Sequence, residues 1–253
     1  MQWLARGEIE LPRHDRWLSA AERDQAASIR FTKRRQEYLT RRWTAKQAVA
    51  AVVDPDRAEP DPSGLAAIEI RNHASGAPWV AIDGEPAPIE VSMTDRAGWA
   101  ICLVGTPAAT ERLGVDLELV EPRTERFIDD YLTAPEQAYV RSHPVGEERD
   151  AAANLLWSAK ESALKVLQVG LRADTRTIEV TVHDDLHDRG DGWSPLTLLG
   201  HDGAGFHGWW RRDGRFVLTI ATRTRIEPPT RLPGSAELRD AVPIHSWLER
   251  PLA

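Results

Sequence analysis

The sequence is poor in the features that mark several large protein classes. Its single cysteine, Cys102, excludes an internal disulfide, and no Cys/His spacing suits zinc. Long apolar runs are missing: no window approaches the ~20 residues a membrane helix needs. The opening stretch MQWLARGEIEL holds no apolar core of signal-peptide length. There is no Walker loop, no G-x-G-x-x-G and no G-x-S-x-G. Nucleotide hydrolysis at a P-loop, dinucleotide redox chemistry and serine hydrolysis therefore lack their sequence markers. Positive charge is not in excess either. Lys and Arg number 32 against 39 Asp and Glu, a formal net charge of −7, so no global basic field draws nucleic acid or an anionic membrane. These absences predict a cytoplasmic protein with neither as partner.

What remains is a chain of 253 residues with ordinary apolar content and ten tryptophans, enough to build one large or two smaller cores. Residues 1–12 alternate loosely and meet Pro12, which predicts an edge strand. Ser19-Ala-Ala-Glu22 reads as a capping box. Tyr38, Leu39, Trp43, Ala45, Val49 and Val52 recur at helical spacing and predict a helix over 32–53. Strand-like pieces follow at 65–71, 79–82, 89–93 and 99–104, punctuated by glycine turns. From residue 105 the order nearly repeats: a strand at 114–119, helices near 124–130, 134–142 and 154–169 (Gly170 as C-cap), then strands at 177–182, 206–211 and 215–221. The fold class expected is α+β, in two similar halves packed as a pseudo-dimer: residues 1–108, residues 109–225, and an extended proline-rich tail over 226–253.

Gly114-Val-Asp-Leu-Glu-Leu119 is the first chemically pointed segment. On a strand, Asp116 and Glu118 share one face. Side-by-side carboxylates repel unless the face is solvated or a cation sits between them, and hard oxygen donors of this kind suit Mg²⁺. The same pattern is met on an ordinary acidic strand face. In Trp157-Ser-Ala-Lys-Glu-Ser-Ala-Leu-Lys165, Glu161 and Lys165 lie one helical turn apart with Lys160 beside them. A routine surface ion pair would look alike, but the small flanking residues allow close approach of a backbone or a ligand. An acidic run with histidines, Asp184 to Asp191 with His183 and His187, is read as a solvated loop.

Taken together, the two segments resemble the 4′-phosphopantetheinyl transferases, in particular the larger monomeric, surfactin-synthetase-activating type. That family carries Gly-Val/Ile-Asp followed one residue later by Glu, and further along Trp/Phe-x-x-Lys-Glu-Ser/Ala-x-x-Lys. Leu113–Glu118 and Trp157–Lys165 fit both patterns, and Tyr131–Glu136 looks like the family's helix-capping segment between them. The resemblance implies transfer of 4′-phosphopantetheine from coenzyme A to a serine of an acyl or peptidyl carrier protein, releasing 3′,5′-ADP, by a monomer. It implies Mg²⁺ held by Asp116, Glu118 and Glu161, with Glu161 or a metal-bound water it orients as base, and Lys160 and Lys165 at phosphate oxygens. In the first half, residues 30–46 resemble the family's nucleotide-binding helix, with Arg42 and Lys46 towards coenzyme A. Ala77 stands where the family has lysine. Asp95 stands where it has a histidine near the 3′-phosphate, and pairing with Arg96 or Lys46 would offset the misplaced charge. The carrier is expected against residues 120–142, with Phe127, Ile128, Tyr131 and Leu132. Two rivals share these motifs: a degenerate member that binds carrier or coenzyme A without transfer, and a Mg²⁺ enzyme acting on another pyrophosphate donor.

Overall fold

A computed structural model describes residues 1–56, 62–105, 112–169, 173–183 and 192–244. The chain is α+β and divides into two units, Met1–Thr110 with Pro229–Ala236, and Glu111–Pro228 with Glu237–Ala253. No described helix is long and apolar enough to cross a membrane.

The first unit opens with β1 (Gln2–Gly7), followed by α1 (Ala20–Ser28) and the long α2 (Thr32–Val53). The capping box read from the sequence is present: Ser19 Oγ accepts from Glu22 N–H, and Glu22 accepts from Ser19 N–H. Strands β2 (Ile68–Asn72), β3 (Pro78–Ile82) and the short β4 (Glu85–Pro86) form one small sheet. The hairpin of β5 (Glu90–Arg96) and β6 (Trp99–Gly105) joins β1 in another. Leu4, Trp43, Ala45, Val49, Ile70, Val80, Cys102 and Val104 meet in this unit's core. Burial pushes the Cys102 thiol above its ordinary range.

The second unit repeats that plan. After β7 (Gly114–Leu119) come α3 (Glu125–Tyr131), α4 (Ala134–Ser142) and the long α5 (Glu147–Leu167). Strands β8 (Ile178–Val182), β9 (Ser194–Gly200), β10 (Gly205–Asp213) and β11 (Phe216–Thr222) then build a five-stranded sheet in the order β7-β11-β10-β9-β8. Its core gathers Leu155, Leu156, Ala159, Ala163 and Leu164 of α5 with Val180, Leu198, Phe206, Trp210 and Val217 of the sheet.

Several expectations change. Helix α5 begins a full two turns earlier than its apolar stripe, because Gly146 breaks the chain direction (φ 115°) and Glu147, Glu148 and Asp150 favour a helix N-terminus. The helix stops at Gln168, which takes the left-handed cap; Gly170 and the acidic run 184–191 lie outside the described residues. Strand β9 escaped the sequence reading because Pro195 masks its alternation, yet its residues alternate strictly between buried and exposed. β1 is not an edge strand. A last strand, β12 (Thr230–Arg231), pairs parallel to it, and Leu232 enters the first unit's core, so this stretch of the expected surface tail is built into a sheet. Ile128 and Leu132, expected at a partner surface, are 2% and 1% exposed and belong to the second core. Phe127 and Tyr131 remain at the surface.

Candidate active site

The acidic face of β7 turns inward, against α5. Gly114, Asp116 and Glu118 alternate onto one face, and a Cβ on Gly114 would collide with the carbonyl of Ser162 and touch Val166. Glycine at that position therefore lets the strand approach the helix backbone. The hydroxyls of Ser158 and Ser162 lie 2.8 Å from Thr219 Oγ1 on β11, and Ser162 also donates to the Thr219 carbonyl at 3.0 Å. The small residues flanking Lys160 and Glu161 thus bring the helix down onto the sheet.

Along this contact α5 presents Trp157, Glu161 and Lys165, each four residues from the next and so on one line of the helix. Lys165 Nζ donates to Asp116 Oδ1 at 2.9 Å and to the Val115 carbonyl at 2.7 Å. Glu118 is held by two donors: Trp157 Nε1 at 3.0 Å on one oxygen and Arg123 at 3.0 Å on the other. Arg123 also donates through Nε to Asn154 Oδ1 at 2.7 Å and lies over the Phe127 ring. Asp116 and Glu118 are 7% and 9% exposed. Burial, and next the charge of Asp116, push the Glu161 carboxyl up to about 7; Lys165 opposes the shift and Glu118 adds to it. Glu161 Oε1 is buried and receives no hydrogen bond, an expensive state for a carboxylate oxygen unless another ligand meets it.

Lys160, expected at phosphate oxygens, and Lys46, expected towards coenzyme A, are instead core residues with no exposed surface. Lys160 Nζ pairs with Glu136 at 2.8 Å and donates to the carbonyls of Thr175 (3.1 Å) and Ile178. All three of its protons are used. Glu136 is itself the capping-box residue of α4 and accepts from Val180 N–H at 2.8 Å. The first unit holds the same device. Lys46 pairs with Glu22 and donates to the carbonyls of Trp17 and Leu65, while Glu22 caps α1 and accepts from Ile70 N–H. Burial draws both lysines below their usual range and the paired glutamates oppose it.

This correspondence aligns the two units. Trp43-Thr-Ala-Lys46 matches Trp157-Ser-Ala-Lys160, an internal echo too short to stand out in the sequence. The hairpins close at Arg96–Trp99 and Asp213–Phe216, so Asp116 opposite Thr219 corresponds to Leu4 opposite Cys102. By the same count Glu118 corresponds to Arg6, Glu161 to Gln47 and Lys165 to Ala51. A family model described as the 4′-phosphopantetheinyl transferase superfamily matches residues 6–104 and 112–220, one stretch in each unit.

The chain belongs to the 4′-phosphopantetheinyl transferase superfamily.

No curated protein matches it. In this superfamily member the other first-unit expectations resolve as follows. Arg42 is nearly buried, donates to Asn72 Oδ1 at 2.7 Å and lies over the Tyr38 ring. Asp95 pairs with Arg41, a neighbour the sequence reading did not consider, rather than with Lys46, which is committed to Glu22. As the side chains stand, no three His, Cys, Asp or Glu groups among the described residues converge as a metal cluster, and Glu118 is held by Arg123 and Trp157. The donor set nevertheless fits a small hard cation. It is all carboxylate, and the buried, hydrogen-bond-free Glu161 Oε1 is an oxygen such an ion would satisfy. Arg123, Trp157 and Asn154 were missed as site residues. Arg123 follows Glu118 by five positions, beyond the strand pattern, and Trp157 read only as a motif aromatic.

Proposed function

We propose that the protein transfers the 4′-phosphopantetheine arm of coenzyme A to the serine of an acyl or peptidyl carrier protein, with Mg²⁺ held by Asp116, Glu118 and Glu161. Membership of the superfamily supports the transfer. The observation that carries the site is Glu161: a half-buried carboxyl beside Asp116 with one buried oxygen unmet by any donor. Bound there, Mg²⁺ would supply charge compensation for the pyrophosphate of the donor.

The remaining work falls to the chain. Glu161 is the group we assign to accept the proton of the attacking serine hydroxyl. Lys165 spends two N–H groups on Asp116 and Val115, leaving the third for a phosphate oxygen of the donor or of leaving 3′,5′-ADP. It also fixes Asp116 in place. Lys160 takes no part in this scheme except to hold α4 and the start of β8 against α5. On the donor side, Arg42 and the Arg41–Asp95 pair are the first-unit groups assigned to coenzyme A; pairing with Arg41 offsets the charge that Asp95 would otherwise present to a phosphate. That neutralisation weighs against a degenerate, non-transferring member.

The deciding experiment incubates the protein with coenzyme A, Mg²⁺ and several apo-carriers, and follows the carrier by intact-mass spectrometry. The expected result is addition of one phosphopantetheine group. A folded protein that modifies none of them overturns the transferase reading.

A further inference from the structure

Glu118 differs from its two acidic neighbours in how it is held. Asp116 shares an oxygen with Lys165, and Glu161 Oε1 meets no donor, whereas each oxygen of Glu118 accepts a side-chain hydrogen bond, from Trp157 and from Arg123. Arg123 is not a floating surface cation. Its Nε is fixed on Asn154, its Cζ lies 4.6 Å from the centroid of the Phe127 ring, and Asn154 is tied to the carbonyls of Glu121 and Asp150 at 2.7 Å. The guanidinium is thus built into the site at a set position, 19% exposed and within salt-bridge distance of one carboxylate.

We propose that Arg123 is a resident counter-ion that competes with a divalent cation for Glu118, and so sets the affinity of the site for metal. This rests on the metal reading above. Two cations on one carboxylate repel each other, and the repulsion is poorly screened where water is scarce. A protein that carries Arg123 therefore gives up metal affinity and gains a site whose three carboxylates are partly neutralised whether or not metal is bound. Trp157, a neutral donor on the other oxygen, keeps Glu118 aimed along α5 without adding charge.

The roles of competitor and scaffold predict opposite signs. The test is Mn²⁺ binding to the intact protein, followed by loss of the free-ion electron paramagnetic resonance signal, with thermal unfolding of the chelator-treated protein beside it. Arg123→Gln is expected to bind Mn²⁺ roughly three- to tenfold more tightly, while its metal-free form melts about 2–4 °C lower. Arg123→Lys, which keeps the charge, is expected to stay within about twofold of the parent in affinity. Should Arg123→Gln fail to fold, Arg123→Met keeps the stem against Phe127 and carries the same expectation. Unchanged or weaker Mn²⁺ binding in the folded neutral variants overturns the proposal and makes Arg123 a scaffold residue only. A parent protein that binds no Mn²⁺, with or without coenzyme A, overturns the metal reading itself.

Discussion

The two units are built on one skeleton and carry different chemistry. Each has a long helix on a hairpin-closed sheet, and each locks that helix with a fully buried lysine paired to the capping glutamate of a shorter helix, Lys46 with Glu22 and Lys160 with Glu136. The differences fall where the strand faces the helix. The second unit places Asp116, Glu118, Glu161 and Lys165 there. The first places Leu4, Arg6, Gln47 and Ala51, and Arg6 Nε donates to Gln47 Oε1 at 2.5 Å. A covalent cation and an amide thus stand where the other unit has two carboxylates. Gln2 likewise occupies the register position of Gly114, so only the second unit brings its strand close enough to need glycine. What is common to both units is scaffold, and what is unique to the second is the candidate chemistry. By that criterion the lysine before Glu161 sorts with the scaffold.

This division can be tested from its strongest consequence downward. Glu161→Ala is expected to lower the rate of carrier modification by about a hundredfold or more, while Gln47→Ala, the same position in the other unit, leaves it within a few-fold. Initial rates of holo-carrier formation measure both. Comparable losses would mean that the first unit contributes chemistry through that position. Next in size, Lys46→Met and Lys160→Met should each destabilise the protein by about 3–5 kcal/mol, since each strands a buried glutamate charge. Urea unfolding monitored by circular dichroism reads that cost. A KM for coenzyme A that moves in Lys160→Met but not in Lys46→Met would return Lys160 to the phosphate.

The smallest effect is a pH dependence found in one unit only. The Glu161 carboxyl is raised to about 7 from an ordinary 4.5, so the folded, metal-free protein binds this proton more tightly than the unfolded chain does. Its contribution to stability is complete below about pH 4.5, declines as pH rises through 4.5 to 7, and levels off above. Glu161→Gln should remove that decline from the variant, so that it appears as the difference between parent and variant measured by thermal unfolding in chelator. Gln47 has no such proton, and Gln47→Ala should leave the slope unchanged.

The sequence carried the site's skeleton and hid its wiring. The alternation in Gly114–Leu119 placed Asp116 and Glu118 on one face, and the spacing of Trp157, Glu161 and Lys165 placed those three on one line of a helix. Alternation does not say which face is covered, however. A polar face reads as the solvated one, and here it packs on α5 because Gly114, Ser158 and Ser162 remove the bulk between strand and helix. Burial of Lys46 and Lys160 was equally hidden, since lysines on a helix read as exposed and their partners, Glu22 and Glu136, sit 24 residues upstream in each unit. Arg123 reaches Glu118 through a turn and had no periodic signal. The short β12 could not be foreseen from a proline-rich stretch whose partner strand lies at the other end of the chain.

That last strand has a consequence for the order in which the molecule can be made. Strand β1 is synthesised more than 220 residues before its outer neighbour Thr230–Arg231 and the core residue Leu232. The hydrogen bonds from Thr230, Leu232 and Ala236 to the carbonyls of Met1, Trp3 and Ala5 cannot form until residues 111–228 of the second unit have been synthesised. Throughout translation the first unit therefore waits with an unpaired sheet edge, the kind of surface on which strands of other chains add. Completion of the first unit in this way depends on prior synthesis of residues 111–228 of the second.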